Sequence, residues 1–274
     1  MSSELLGARR LRQVLARHGV RPSKALGQNF VIDPNTIRKV VEVADPPSEA
    51  HVLEIGPGAG SLTLALAERS QRVTAVELDR HLMPVLREVL EEARNVELIH
   101  GDALDLDLGS YGATEVVANL PYNVAVPLVM RLLSDAPSIR SMTVMTQREV
   151  GERLAAGPGS KVYGSPSVMA AFDSHVDVVA RISRRAFWPV PNVDSVLVRL
   201  VRRRPPEVDR EAFGILVRAA FSQRRKTLRK SLAPVLGESV EAVLAAARID
   251  PGKRPEQVSF EGFVQVARAA ASPN

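Results

Sequence analysis

His51-Val52-Leu53-Glu54-Ile55-Gly56-Pro57-Gly58-Ala59-Gly60 decides the fold. A short, mostly apolar run of strand type enters a turn with glycine at every second position. From Ser61 the chain reads as a helix, with Leu62, Ala65 and Leu66 on its inner side. A strand that turns through glycines straight into a helix begins a strand–helix–strand unit. The alternation continues outward from it. Strands are predicted over 72–78, 96–100, 115–120 and 139–146, and helices over 82–93, 126–133 and 148–155. This pattern predicts an α/β fold with a mostly parallel sheet covered on both faces.

Upstream, residues 4–18 read as a helix and 21–30 as a basic loop broken by Pro22 and Gly27. Asp33 caps a helix that Pro34 opens and that runs to Ala44. Downstream, 157–166 is rich in Gly, Pro and Ser and reads as a mobile loop. Residues 176–182 and 195–201 read as strands, an antiparallel pair at the sheet edge. Arg202-Arg203-Arg204-Pro205-Pro206 marks a boundary, giving domains over 1–204 and 205–274. Beyond it the pattern is helical, over 211–221, 224–232, 239–247 and 260–271.

A chain of 274 residues has room for one large domain, or one plus a small one. It contains no cysteine, which excludes disulfides and thiolate chemistry. The histidines show no ligand spacing, so no metal is expected. No apolar run approaches a membrane span and no apolar leader core is present, so the expected location is cytoplasmic. Charge is unevenly placed. Residues 1–30 carry six basic and one acidic side chain, 31–200 carry 16 and 22, and 201–274 carry 14 and eight. Basic ends around an acidic middle point to a polyanion held at the flanks, or to ordinary solubility charge.

The predicted strand ends carry the chemistry. Gly56-x-Gly58-x-Gly60 lets a ligand approach the backbone closely. Glu77, at the end of the second strand, suits a ribose diol, and the pair points to a nucleoside-bearing cofactor. The spacing is not the dinucleotide GxGxxG, although the motif alone leaves a dinucleotide and S-adenosylmethionine both open. Asp102 ends the third strand and can accept a hydrogen bond from an adenine amino group. Asn119-Leu120-Pro121-Tyr122 ends the fourth, combining a carboxamide, a stiffened backbone and an aromatic face. That set suits a planar substrate bearing an amino group. Phe187-Trp188-Pro189-Val190-Pro191-Asn192 offers a second aromatic pair, with Phe187 expected to stack on a base and Trp188 to pack. Ser222–Lys230 reads as a dense basic helix start, with Arg224, Arg225, Lys226, Arg229 and Lys230 contacting phosphates.

Together these stretches resemble the ribosomal RNA adenine N6-dimethyltransferases that act on small-subunit RNA. The resemblance spans nearly the whole chain. It is carried by Lys24-Ala25-Leu26-Gly27-Gln28-Asn29-Phe30, Glu54–Gly60, Asn119–Tyr122, Phe187–Ser195 and Phe221–Thr227. Val31 stands where that family usually has Leu, and Pro166 replaces the usual apolar residue after a Tyr-Gly pair.

The resemblance implies a Rossmann-like class I methyltransferase domain over 1–204 with a basic N-terminal arm, and a helical RNA-contacting domain over 205–274. It implies S-adenosylmethionine as cofactor, without metal, and a monomer acting on small-subunit ribosomal RNA in the pre-30S particle. Asn29 and Val31 would close over the cofactor. Gly56 and Gly58 would lie against it, Glu77 would hold the ribose and Asp102 the adenine. Asn119 and the Leu120 carbonyl would accept the target amino hydrogens, Pro121 would fix them, and Tyr122 and Phe187 would sandwich the base. A resistance-type methyltransferase of large-subunit RNA and a non-catalytic assembly factor are the rival readings, and a nicotinamide dehydrogenase a remote one.

Overall fold

Elements form where side-chain pattern and caps agree. A computed structural model describes residues 5–23, 26–223 and 225–272. Helix α1 (Ala8–Arg17) buries Leu11, Val14 and Leu15 and leaves its arginines outside. The two-residue strand β1 (Phe30–Val31) precedes α2 (Pro34–Ala44), which opens where the Asp33 carboxylate accepts the Asn35 and Thr36 N–H groups, each at 3.1 Å. The alternating region follows as β2 (His51–Ile55), α3 (Ser61–Ala67), β3 (Arg72–Glu77), α4 (Met83–Val89), β4 (Val96–His100), β5 (Glu115–Asn119), α5 (Ala125–Asp135), β6 (Ser141–Gln147) and α6 (Arg148–Leu154).

Helix α7 (Ser165–Asp173) then leads to β7 (Ser174–Ile182), β8 (Phe187–Trp188) and β9 (Ser195–Arg202). The seven-stranded sheet has the order β4-β3-β2-β5-β6-β9-β7. Strands β2 through β6 pair in parallel, and β9 runs antiparallel to β6 with Ser195 opposite Gln147. From β2 the chain builds outward through β3 and β4, then crosses back to β5 on the other side. The carboxyl ends of β2 and β5 therefore flank the crevice where such sheets take ligands. The expected edge pair is half right: β7 and β9 are neighbours at the sheet's end, but β9 also bonds to β6 and only β7 lies outermost.

By contacts the chain divides into two compact units, Met1–Gly151 with Asp177–Arg202, and Glu152–Val176 with Arg203–Asn274. The stretch 152–176, which the sequence leaves with the first domain, thus clusters with the tail. In this second unit α8 (Arg210–Phe221), α9 (Leu228–Leu236), α10 (Val240–Ala246) and α11 (Phe260–Ala271) follow α7. Phe172, Phe213 and Phe260 pack in series, with ring centroids 4.8 and 6.0 Å apart. Arg210 pairs with the buried Asp173 at 2.8 Å. The Gly- and Pro-rich stretch read as a mobile loop is tied down: Gly159 N–H donates to the Glu256 carbonyl (2.7 Å), and the buried Tyr163 hydroxyl donates to the Val258 carbonyl (3.1 Å).

The basic run is also corrected. Residues 222–223 and 225–227 are not helical, and α9 starts only at Leu228. Arg225 and Lys226 are exposed ahead of it, Arg229 and Lys230 are exposed in the first turn of α9, and Arg224 lies outside the described residues.

Candidate active site

Four strand ends and the N-terminal arm surround one pocket. Its lining includes Gly27–Val31 of the arm, Glu54–Ala59, Glu77, Gly101–Leu104 and Asn119–Val124. Asn29, Val31, Gly56, Gly58, Glu77, Asp102, Asn119, Leu120, Pro121 and Tyr122, all expected from the sequence to form a site, thus come together although they span 94 positions of chain, from 29 to 122.

The glycine turn is shaped by contact as well as by torsion. Gly58 has φ +60°, and a Cβ there would sit 2.9 Å from the Phe30 ring. Glu77 lies at the end of β3 with its carboxylate accepting the Gly58 N–H (3.0 Å) and the Asp79 N–H (2.9 Å). Burial pushes its pKa up to about 7, against the pull of those backbone donors. Asp102 accepts the Leu104 N–H at 2.8 Å, which orients the carboxylate at the end of β4. Arg131 of α5 holds the same loop by donating to the Ala103 and Leu104 carbonyls.

Asn119 is the most informative residue. Its Nδ2 donates to the Asn29 carbonyl of the arm at 3.2 Å, while its Oδ1 is buried and has no hydrogen-bond partner. A buried acceptor left without a donor is costly, and is expected where a ligand will supply one. Pro121 packs toward Gly56, so the two motifs touch. The Tyr122 hydroxyl lies 2.7 Å from the Ser195 Oγ, which links this motif to the start of β9.

Phe187 does not join them. It is fully buried in the core cluster with Val31, Ile37, Ile182 and Leu197, paired opposite Val31 across β1–β8. Its ring is packed among these side chains and is not part of the pocket lining. Its apolar neighbours in the fold come from distant strands and a helix, so the local sequence gave no warning.

Sequence reasoning missed three residues at the site. Glu54 is buried in the lining, with burial and the neighbouring Glu77 pushing its pKa up to about 8 and one carboxyl oxygen unpartnered. The signal was an acid inside the otherwise apolar His51–Ile55 strand. Gln28 bonds Asp79 at 2.8 Å and so ties the arm to the end of β3. Ser195 meets Tyr122 only because β9 returns antiparallel, which no local pattern announces.

The family model for "Ribosomal RNA adenine dimethylase" matches residues 20–272. The chain belongs to the ribosomal RNA adenine dimethylase family. Within it, the "Ribosomal RNA small subunit methyltransferase A" of Leifsonia xyli subsp. xyli is 48% identical over 273 residues, covering 96% of this chain and 98% of that protein. A dimethyladenosine transferase from Plasmodium falciparum shares the fold, with a TM-score of 0.73 at 24% identity over 85% of this chain and 94% of that one. The 23S rRNA methyltransferase ErmE superposes with a TM-score of 0.70 at 30% identity, over 89% of this chain and all of that one (100%).

As an rRNA adenine dimethylase, the chain depends on S-adenosylmethionine for the methyl group. The pocket fits that donor. It offers the hydrogen-bond acceptors that ribose hydroxyls and an adenine amino group need, and a backbone stripped of Cβ at Gly56 and Gly58. Among the described residues no cluster of His, Asp and Glu is arranged to hold a metal ion. No helix among them is long and apolar enough to cross a membrane.

Proposed function

We propose that this dimethylase methylates the N6 of adenines in small-subunit ribosomal RNA, giving dimethyladenosine, and that it acts as a cytoplasmic monomer on the assembling 30S particle. The observation that carries the reading is the buried, unpartnered Oδ1 of Asn119 beside Tyr122. The choice of subunit is supported by relatives such as the Leifsonia xyli protein, at 48% identity against 30% for ErmE.

When bound, the donor supplies an activated methyl group on a positively charged sulfur. The chain's own residues do the rest. Asn29 and Val31 of the arm close over the donor, and Gly56 and Gly58 allow its close approach. Glu77 accepts from the ribose hydroxyls and Asp102 from the adenine amino group. The target nitrogen is a poor nucleophile because its lone pair is delocalised into the purine ring. Asn119 Oδ1 and the Leu120 carbonyl accept its two hydrogens from outside the ring plane, which favours a pyramidal nitrogen and aims the lone pair at the methyl. Those bonds strengthen as positive charge develops on nitrogen, so they favour the transition state over the ground state. Pro121 holds the acceptors in place, and Tyr122, tethered by Ser195, gives the base a stacking face. The adenine must leave its own stack to reach them. In the second unit, Arg225, Lys226, Arg229 and Lys230, with Arg224, would contact RNA phosphates.

The test is incubation with methyl-labelled S-adenosylmethionine and separated, unmethylated ribosomal subunits. Label recovered as dimethyladenosine in small-subunit RNA is expected. Label in large-subunit RNA would favour the second reading, a target like that of ErmE, whose likeness to this chain motivates it. No label in either would overturn both and leave an assembly factor.

A further inference from the structure

We propose that Trp188, with the arginines around it, forms a shelf for an unpaired nucleotide of the RNA strand next to the target adenine. This rests on the reading of the Asn119 pocket as the target site.

Trp188 is the chain's single tryptophan. One side of it packs against the cluster of Leu11, Phe30 and Leu82, opposite Phe30 in the β1–β8 pair, and the residue stays partly exposed. The guanidinium of Arg12 lies over the ring, 5.3 Å from its centroid, and extends the flat surface outward as a second plane. Leu11 and Phe30, its immediate support, also line the pocket that holds Asn119, so the shelf adjoins that pocket.

The charge around it is positive and unbalanced. Helix α1 carries Arg9, Arg10, Arg12 and Arg17 and no acid. Arg17 is spent on Glu88, whereas exposed Arg9 and Arg12 have no carboxylate partner among the described residues. Arg184 and Arg185 are exposed in the short helical turn just before β8. Among the described residues the Arg184 side chain bonds only the Asn192 carbonyl, at 3.3 Å. The nearby acids are engaged: Glu88 holds Arg17 and His18, Asp33 caps α2, Asp79 holds Gln28, and Asp194 accepts the Arg184 N–H.

An indole capped by the Arg12 guanidinium, with Arg184 and Arg185 exposed in the turn just before it, matches a strand with exposed bases and phosphates. A duplex keeps its bases stacked inside, and a lipid headgroup has no π-face. Single-stranded RNA is therefore the partner these groups fit.

The single tryptophan makes the test direct. The full-length protein is titrated with a small-subunit RNA transcript and with oligo(A), and Trp emission is followed alongside filter binding. Quenching that saturates together with binding is expected. Replacing Arg12, Arg184 and Arg185 with Ala together should weaken RNA binding by roughly ten-fold and lower the slope of log affinity against log salt by about 2. S-adenosylhomocysteine affinity, measured by calorimetry, should not move. Bound RNA with unchanged Trp emission overturns the proposal, as does an unaltered salt slope in the triple variant. Quenching by anionic vesicles but not by RNA would assign the face to a lipid surface and overturn it too. Methyl transfer by the unmodified protein is measured in parallel. Its failure with emission still responding would sink the function and spare the shelf; transfer with silent emission would do the reverse.

Discussion

At the scale of single residues the chemistry converges on Asn119. Its nitrogen is occupied by the arm and its oxygen is unsatisfied, so the side chain is organised before any substrate arrives. Replacing it with Ala removes an acceptor that gains strength only as the reaction proceeds. Asn119→Ala is expected to lower turnover by ~100-fold or more, with S-adenosylhomocysteine affinity changed much less. Single-turnover methylation and calorimetry together check this, and near-normal turnover would refute the role. This residue was legible in sequence because a carboxamide, a proline and an aromatic ring follow one another at a strand end. The burial of Phe187 was not legible, for the opposite reason. Its neighbours are core positions drawn from distant elements, and a Phe-Trp pair among prolines does not reveal which ring faces inward.

At the scale of elements, the sheet was readable wherever an apolar run met a turn. The bounds of β2 and β4 agree with expectation because a glycine lies just beyond each of them. Helix α7 escaped notice because Val168, Met169, Ala170 and Phe172 are all buried, which erases the helical period. The non-helical residues 222–223 and 225–227 escaped because a run of arginines and lysines has no apolar pattern at all. Arg229 beyond them already pairs with Glu241 at 3.0 Å, leaving Arg225 and Lys226 as the more available cations. Replacing those two with Ala should lower the salt dependence of RNA binding by about 1–2 in slope, measured by filter binding across a salt series. An unchanged slope would make the two mere solvated surface. Helix α6 gives a sharper structural expectation. A Cβ at Gly151 would collide with Val196 and lie 2.7 Å from the Val198 side chain, so the helix sits directly on β9. Gly151→Ala should cost roughly 1–3 kcal/mol, seen as a melting temperature lower by several degrees.

At the scale of the whole molecule, stability carries the signature of the buried acids. Glu54 is held protonated by burial and by Glu77, up to about 8, far above an exposed carboxyl. The folded chain therefore keeps a proton that the unfolded chain gives up at lower pH. Its contribution to stability is fully present below the unfolded value and is lost as pH rises through about 8. Melting temperature should fall between about pH 5 and 9, and Glu54→Gln should flatten that fall. Thermal melts across the range decide it; parallel curves for the two proteins would show that Glu54 does not set the trend. The same burial explains why Glu54 was overlooked, since its one sequence signal is a single acid in a strand. The division by contacts differs from the one read in the sequence. The Arg-Pro run sits where the second unit resumes, but the return of 152–176 to that unit depends on contacts such as Arg210 with Asp173, which span distant sequence.

The bond from Asn119 to the arm has one further consequence. A carboxamide is two-faced: turned over, it would present hydrogens where it now presents oxygen. A backbone carbonyl can only accept, so the Asn29 carbonyl compels the amide to point its NH2 at the arm and its oxygen at the pocket. With the arm lifted, nothing at that end selects the orientation, and a flipped amide would confront an incoming amine hydrogen to hydrogen. If Asn119 Oδ1 accepts from the target amine as proposed, the arm would also set the polarity of that acceptor, and displacing it would cost substrate recognition before any catalytic atom is lost.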